Sequence, residues 1–163
     1  MTSETTLAYL AGLIDGEGYI GIKKTRTAKG RVAPGYHARI QVRMVHEPAI
    51  ALLAQELGGR YYREGAATGL RRDLYCWQAS DAIAEKILRA LLPYLRVKRH
   101  HAEAVLRLRK WQSGGSMHRT KLLGYREFQG FRGGVRRVRT MGFSDAYIAS
   151  CESAYLECKS LNH

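Results

Sequence analysis

The chain has 163 residues, 45% hydrophobic and 25% charged, a balance that suits one globular domain rather than a disordered chain. Its 27 Lys and Arg against 14 Asp and Glu leave a formal charge of +13, so the expected partner is a polyanion. There is no apolar run of the about 18 residues a membrane helix needs, and "MTSETT" lacks a basic signal-peptide start, so no membrane partner is expected.

Residues 4 to 16 read as a helix capped near Ser3 or Thr5 and stopped by "DGEG". "GYIGIKKTR" and "YHARIQVRMV" then form a strand pair. In the second strand Tyr36, Ala38, Ile40, Val42 and Met44 alternate with His37, Arg39, Gln41 and Arg43. "EPAIALLAQELGG" is a second helix, with Pro48 in its first turn and Gly58 or Gly59 at its end. "RYYRE" and "LRRDLYCWQA" read as a second hairpin, and "SDAIAEKILRALLPYL" as a third helix capped by Ser80 or Asp81. "VKRHHAEAVLRLRKW" is a fourth, with Val97, His101, Ala104, Val105 and Leu108 on its apolar stripe. Residues 113 to 163 are expected as a glycine-rich basic extension with little core material, ending in a helix and packed on the same domain as residues 1 to 112. Hairpins segregated from helices make the fold class α+β with an antiparallel sheet.

Positive charge is concentrated. Residues 18 to 46 hold seven Lys or Arg and no acid; residues 96 to 139 hold thirteen against Glu103 and Glu127. Three cysteines, Cys76, Cys151 and Cys158, form no metal spacing, and their odd count suits reduced thiols inside a cell.

The first helix, "LAYLAGLIDGEGYIGI", is apolar all round, which demands burial on both faces. Leu7, Leu10, Ala11 and Ile14 share one face, and Ala8, Gly12 and Asp15 another. Small residues four apart admit a second helix closely. The motif has no second copy in the chain, so the expected partner is the same helix of another subunit, paired about a two-fold axis. Such a pair brings two "DGEG" ends together, and carboxylates crowded there call for divalent cations with oxygen ligands. Two cations beside a phosphate would support metal-dependent cleavage of a nucleic acid.

"LAGLIDGEG", Leu10 to Gly18, closely resembles the signature of the LAGLIDADG homing endonucleases, and the order αββαββα over residues 4 to about 111 is similar to the family core. With one motif the chain resembles the homodimeric members. The resemblance implies an antiparallel, saddle-shaped sheet set in the major groove. The implied activity is a magnesium-dependent staggered double-strand cut in a long pseudo-palindromic DNA site, with manganese or calcium able to replace magnesium for binding. It implies Glu17 and the Gly16 carbonyl as metal ligands, with glutamate standing where many members have aspartate. Lys98 falls on a lysine that positions the solvent network, and His46 on a polar residue near the attacking water.

The resemblance further implies a dimer interface over Leu7, Ala8, Ala11, Gly12 and Asp15. The strand alternation assigns the DNA face to Lys23, Thr25, His37, Arg39, Gln41 and Arg43, then to Arg63, Arg72 and Gln78. Arg132, Arg136, Arg137 and Arg139 are expected on backbone phosphate. A second reading is an intron RNA maturase on the same fold. A third is a non-catalytic DNA-binding regulator, which would want a helix-turn-helix appendage that residues 113 to 163 lack. An intracellular site is expected, in cytoplasm, nucleoid or an organelle.

Overall fold

The computed structural model describes residues 2–25, 34–66, 68–69, 72–114, 120–129 and 135–161. In chain order it runs α1 (Glu4–Glu17), β1 (Gly18–Thr25), β2 (Gly35–Met44), α2 (Glu47–Leu57), β3 (Arg60–Gly65), β4 (Leu74–Ser80), α3 (Asp81–Leu91) and α4 (Arg99–Ser113). A hairpin follows, β5 (Thr120–Gln129) and β6 (Val135–Phe143), and then α5 (Asp145–Ser160).

Strands β1 to β4 form one antiparallel sheet in the order β1-β2-β4-β3, as the α+β reading expects. Alternation along β2 decides its faces. Tyr36, Ala38, Ile40 and Val42 are buried against the helices, while His37, Arg39 and Gln41 are half-buried and Arg43 is exposed on the other side. Trp77 of β4 anchors the helix side: it is fully buried, and its indole Nε1 donates to the Gly58 carbonyl at 2.6 Å. Leu10, Ala11 and Ile14 of α1 join Leu53, Leu88, Leu91, Val105 and Leu108 in that core.

Helix α1 starts on Ser3, whose Oγ accepts the Thr6 N–H at 3.1 Å, satisfying one of the helix's orphan donors. It ends where the Asp15 carboxylate crosses to the turn before α4. There it accepts the backbone N–H groups of Arg96 (2.7 Å), Val97 (3.1 Å) and Lys98 (2.9 Å). That turn explains why Val97, expected on the buried stripe of α4, is instead 72% exposed ahead of the helix.

Burial pushes the Asp15 carboxyl up, but the three backbone donors and the Lys98 charge outweigh it and hold the group below its ordinary value. A carboxylate shifted this way stabilises the fold above its unfolded value, and the contribution is lost as pH falls through the folded one. Asp15→Asn should therefore cost roughly 1–2 kcal/mol at neutral pH, with the exposure of the site discounted. The gap from the parent should begin to close as pH falls below about 4, the ordinary aspartate value, and should vanish only below the lowered value of the folded parent. Urea unfolding at several pH values checks this; a gap constant down to pH 3 would contradict it.

The C-terminal region departs from the sequence expectation, since Thr120–Gln129 and Val135–Phe143 pair as a ten- and nine-residue ribbon. Leu122, Leu123, Tyr125 and Val135 stay exposed on it. A ribbon held by its own ladder needs no apolar face, so hydrophobic periodicity does not announce it. Helix α5 packs on α4 and β1, burying Cys151, Ala154 and Cys158. Its Glu152 is bound by the Lys24 ammonium (2.7 Å) and accepts from the Tyr36 hydroxyl. The Lys24 contact and then the Tyr36 bond hold the Glu152 carboxyl below its ordinary range.

Candidate nucleic-acid interface and metal site

Helix α1 runs straight into β1, so its last residue stands at the rim of the open sheet face. A hollow of about 500 Å³ is lined there by Glu17, Gly18, Tyr19, Lys23, Arg39, Gln41 and Arg43. A second, of about 410 Å³, continues along the strands between Lys23, Thr25, His37, Arg39, Gln78 and Asp81. The exposed carboxylate therefore sits at one end of a basic channel on a two-strand ribbon. Cross-strand pairing explains the grouping, because Tyr19 faces Gln41, Lys23 faces His37, and Gln41 faces Gln78. Gly21 lets the Tyr19 ring lie flat on β1, since a Cβ there would collide with its phenol.

Acids from other elements meet the basic residues of the channel. Arg43 pairs with Glu64 at 2.8 Å and His37 with Asp81 at 3.1 Å, while Arg39 donates to Gln78 Oε1 at 2.7 Å. The absence of acids from residues 18 to 46 concealed this, because Glu64 and Asp81 come from other elements.

Placement differs for several sequence-assigned residues. Arg63 pairs in register with Tyr75, which puts it on the helix side of the sheet, where it meets Asp73 at 3.6 Å. Its neighbours Arg60 and Tyr62 take the open face instead, opposite Gln78 and Cys76, with the Arg60 guanidinium 5.3 Å from the Tyr62 ring centre. Arg72 is exposed ahead of β4, outside the sheet. In the ribbon Arg137 is exposed, stacked 5.1 Å over the Tyr125 ring and 3.6 Å from Glu127. Arg136 and Arg139 are placed only by register, opposite Phe128 and Tyr125, and Arg132 lies outside the described residues.

Lys98 reaches the same helix end as Glu17. Its Nζ donates to the carbonyls of Ile14, at 3.1 Å, and Asp15. A cation there complements the negative end of the α1 dipole. His46 is the N-cap of α2, its Nδ1 accepting from the Ala49 N–H at 3.4 Å. The lone pair a general base would use is thus engaged in the cap, and Nε2–H is left to donate.

Of the residues assigned to subunit pairing, Ala11 is fully buried in the chain's own core, while Leu7 is partly buried against it and keeps part of its surface open. The Asp15 carboxylate is engaged with residues 96–98. The open stripe of α1 runs Ala8, Gly12 and Gly16, beside Tyr9 at 56% exposure.

As to metal, no cluster of three or more His, Cys, Asp and Glu exists among the described residues. One subunit offers a single carboxylate, Glu17, with the carbonyls of a helix end. Such an all-oxygen set suits a hard divalent cation only when phosphate oxygens or a second carboxylate complete the shell.

These features define a class. The architecture is that of the LAGLIDADG homing endonucleases. The homing endonuclease I-CvuI, in complex with its target, superposes with a TM-score of 0.59 at 20% identity, covering 68% of this chain and 69% of that one. The archaeal intron-encoded I-Vdi141I, complexed with DNA, gives 0.57 at 12% identity over 69% and 71%. I-SmaMI, a LAGLIDADG homing endonuclease bound to cleaved DNA, gives 0.52 at 13% identity over 65% of this chain and 36% of its own. The likeness is one of fold. No family model matches the sequence, and no curated protein matches it.

Proposed function

We propose that the protein is a homodimeric, sequence-specific DNA endonuclease that hydrolyses phosphodiester bonds with divalent metal. The observation that carries this is Glu17, exposed at the end of α1 and opening onto a channel lined by Lys23, Arg39, Gln41 and Arg43. A two-strand ribbon carrying these donors fits the major groove, where Arg and Lys favour guanine and Gln favours adenine. The DNA complexes of the fold neighbours support the same substrate.

In this reading the two α1 helices pair on their small stripe and bring both Glu17 carboxylates to the scissile phosphates. Glu17 and the Gly16 carbonyl would hold a divalent cation there, which when bound would supply charge to activate water and stabilise the leaving oxygen. Complexes of I-CvuI determined in the presence of 2 mM Ca or 2 mM Mg make magnesium or calcium the natural candidates. The chain's own contributions are positional. Glu17 presents its carboxylate, the carbonyl of Gly16 lies beside it, and Lys98 holds the helix end still. Nε2–H of His46 can donate to ordered water. The basic strand residues hold the duplex in register, and the ribbon adds phosphate contacts farther out. The paired, two-fold arrangement gives a staggered cut at a pseudo-palindromic site.

Incubation with magnesium and a plasmid library of candidate sites tests this. Linear product from one site, abolished by chelation, is the expected result. Binding of structured intron RNA alone, with every plasmid left intact, would favour the maturase reading instead.

A further inference from the structure

Asp81, the first residue of α3, holds a backbone φ of +49°, the one positive value away from glycine among the described residues. Non-glycine residues enter this region rarely, and where they do the surroundings hold them there. Here the carboxylate is the reason. The last pair between β2 and β4 is Arg39 with Ser80, and beyond it Asp81 Oδ1 accepts the Ala38 N–H at 3.2 Å, standing in for the missing strand. Its other oxygen, Oδ2, lies 3.1 Å from Nδ1 of His37.

An ionised carboxylate only accepts, so Nδ1 carries the hydrogen and the neutral ring keeps its lone pair on Nε2. The ring is seated as well as bonded. It lies over Gly35, where an added Cβ would stand 3.0 Å from Nε2, and its side chain remains 44% exposed in the second hollow. Besides Asp81, the charged neighbours there are cations, Lys23 across the strand and Arg39 two residues on, which can only donate.

Resting on the endonuclease reading, we propose that Asp81 sets the tautomer of His37 and makes the pair a reader of a base with an exocyclic amino group, cytosine or adenine, in DNA lying along the sheet. Cytosine N4 and adenine N6 are the major-groove donors, and Nε2 is an acceptor set among donors. Asp81 acts here as a positioning residue.

The test is selection from a randomised duplex pool by the full-length protein. Calcium replaces magnesium so that binding is read without cutting, and a buffer near about pH 8.5 keeps imidazoles neutral. The parent should favour C or A about tenfold at one position of each half-site. Asp81→Asn keeps an oxygen for Ala38 and tolerates the left-handed backbone, but its amide donates to Nδ1 and moves the hydrogen to Nε2. Preference at that position alone should swing away from C, whose major-groove edge only donates, to G or T, whose edges only accept. His37→Ala should erase it there and nowhere else.

A merely structural Asp81 would weaken selection at every position together, and that outcome, or an unchanged preference in either variant, overturns the proposal. Nitrogen-15 NMR of the parent gives a check independent of the folding of Asp81→Asn: the imidazole signal missing from His37→Ala should report a hydrogen on Nδ1, and a hydrogen on Nε2 refutes the assignment. A parent that enriches no sequence would bring down the endonuclease reading itself, and this inference with it.

Discussion

Glu17→Gln should bind its DNA site as tightly as the parent in calcium and cut it at least about a thousandfold more slowly in magnesium. The substitution keeps the size of the side chain and removes only its charge. Glu17 is exposed at the helix end, so the fold should lose no more than about 0.5 kcal/mol. A neutral amide is a poor ligand for a hard cation, and with no second carboxylate in the same chain's hollow nothing compensates. Losing about 4 kcal/mol of charge stabilisation at the leaving oxygen corresponds to the stated factor. Affinity should not fall, because a carboxylate beside phosphates repels them; in chelator the variant should bind slightly better than the parent. Filter binding and single-turnover cleavage on one substrate separate the two effects. A variant that cuts at the parental rate would place the essential carboxylate elsewhere.

How far the sequence told this depends on which physical signal each element carries. Strand β2 was readable because it alternates without a break from Tyr36 to Val42, and α1 because an uncharged run lies between the Ser3 cap and the "DGEG" stop. Strand β3 was not. "RYYR" carries one arginine and one tyrosine on either phase, so only the pairing with β4 decides that Arg60 and Tyr62, rather than Arg63, take the open face. The partners of the basic residues were equally hidden. Asp81 comes from 44 residues beyond His37, and Glu152 from 128 beyond Lys24, distances over which no local pattern operates. Lys24 sits in a run that reads as uniformly basic, yet it faces the helices and ties α5 down. At His46 a residue assigned to chemistry caps a helix; the only local hint was Pro48 in the turn that follows. The ribbon of β5 and β6 escaped because its ladder of backbone pairs, rather than an apolar stripe in the sequence, defines it.

Gly12→Leu should convert the protein to monomers at micromolar concentration, with loss of double-strand cutting and no loss of the subunit's own fold. Within the chain nothing calls for glycine at this position or at Gly16. Neither has a positive φ, and a Cβ added at either would meet no atom within 4 Å. Each costs the helix about 1 kcal/mol relative to alanine. Two such costs on the one face left open by the core, in line with exposed Ala8, are explained if that face meets another backbone. A leucine there enters a two-fold contact twice and holds the helices apart by more than either can accommodate. The same change improves helix propensity, so the variant monomer should melt no lower than the parent diluted to its monomeric state. The parent's melting temperature should fall on dilution, and the variant's should not. Sedimentation across a concentration series reads both quantities. An unchanged sedimentation profile would remove the symmetric pairing, and without it the two Glu17 carboxylates have no means of meeting over a single break.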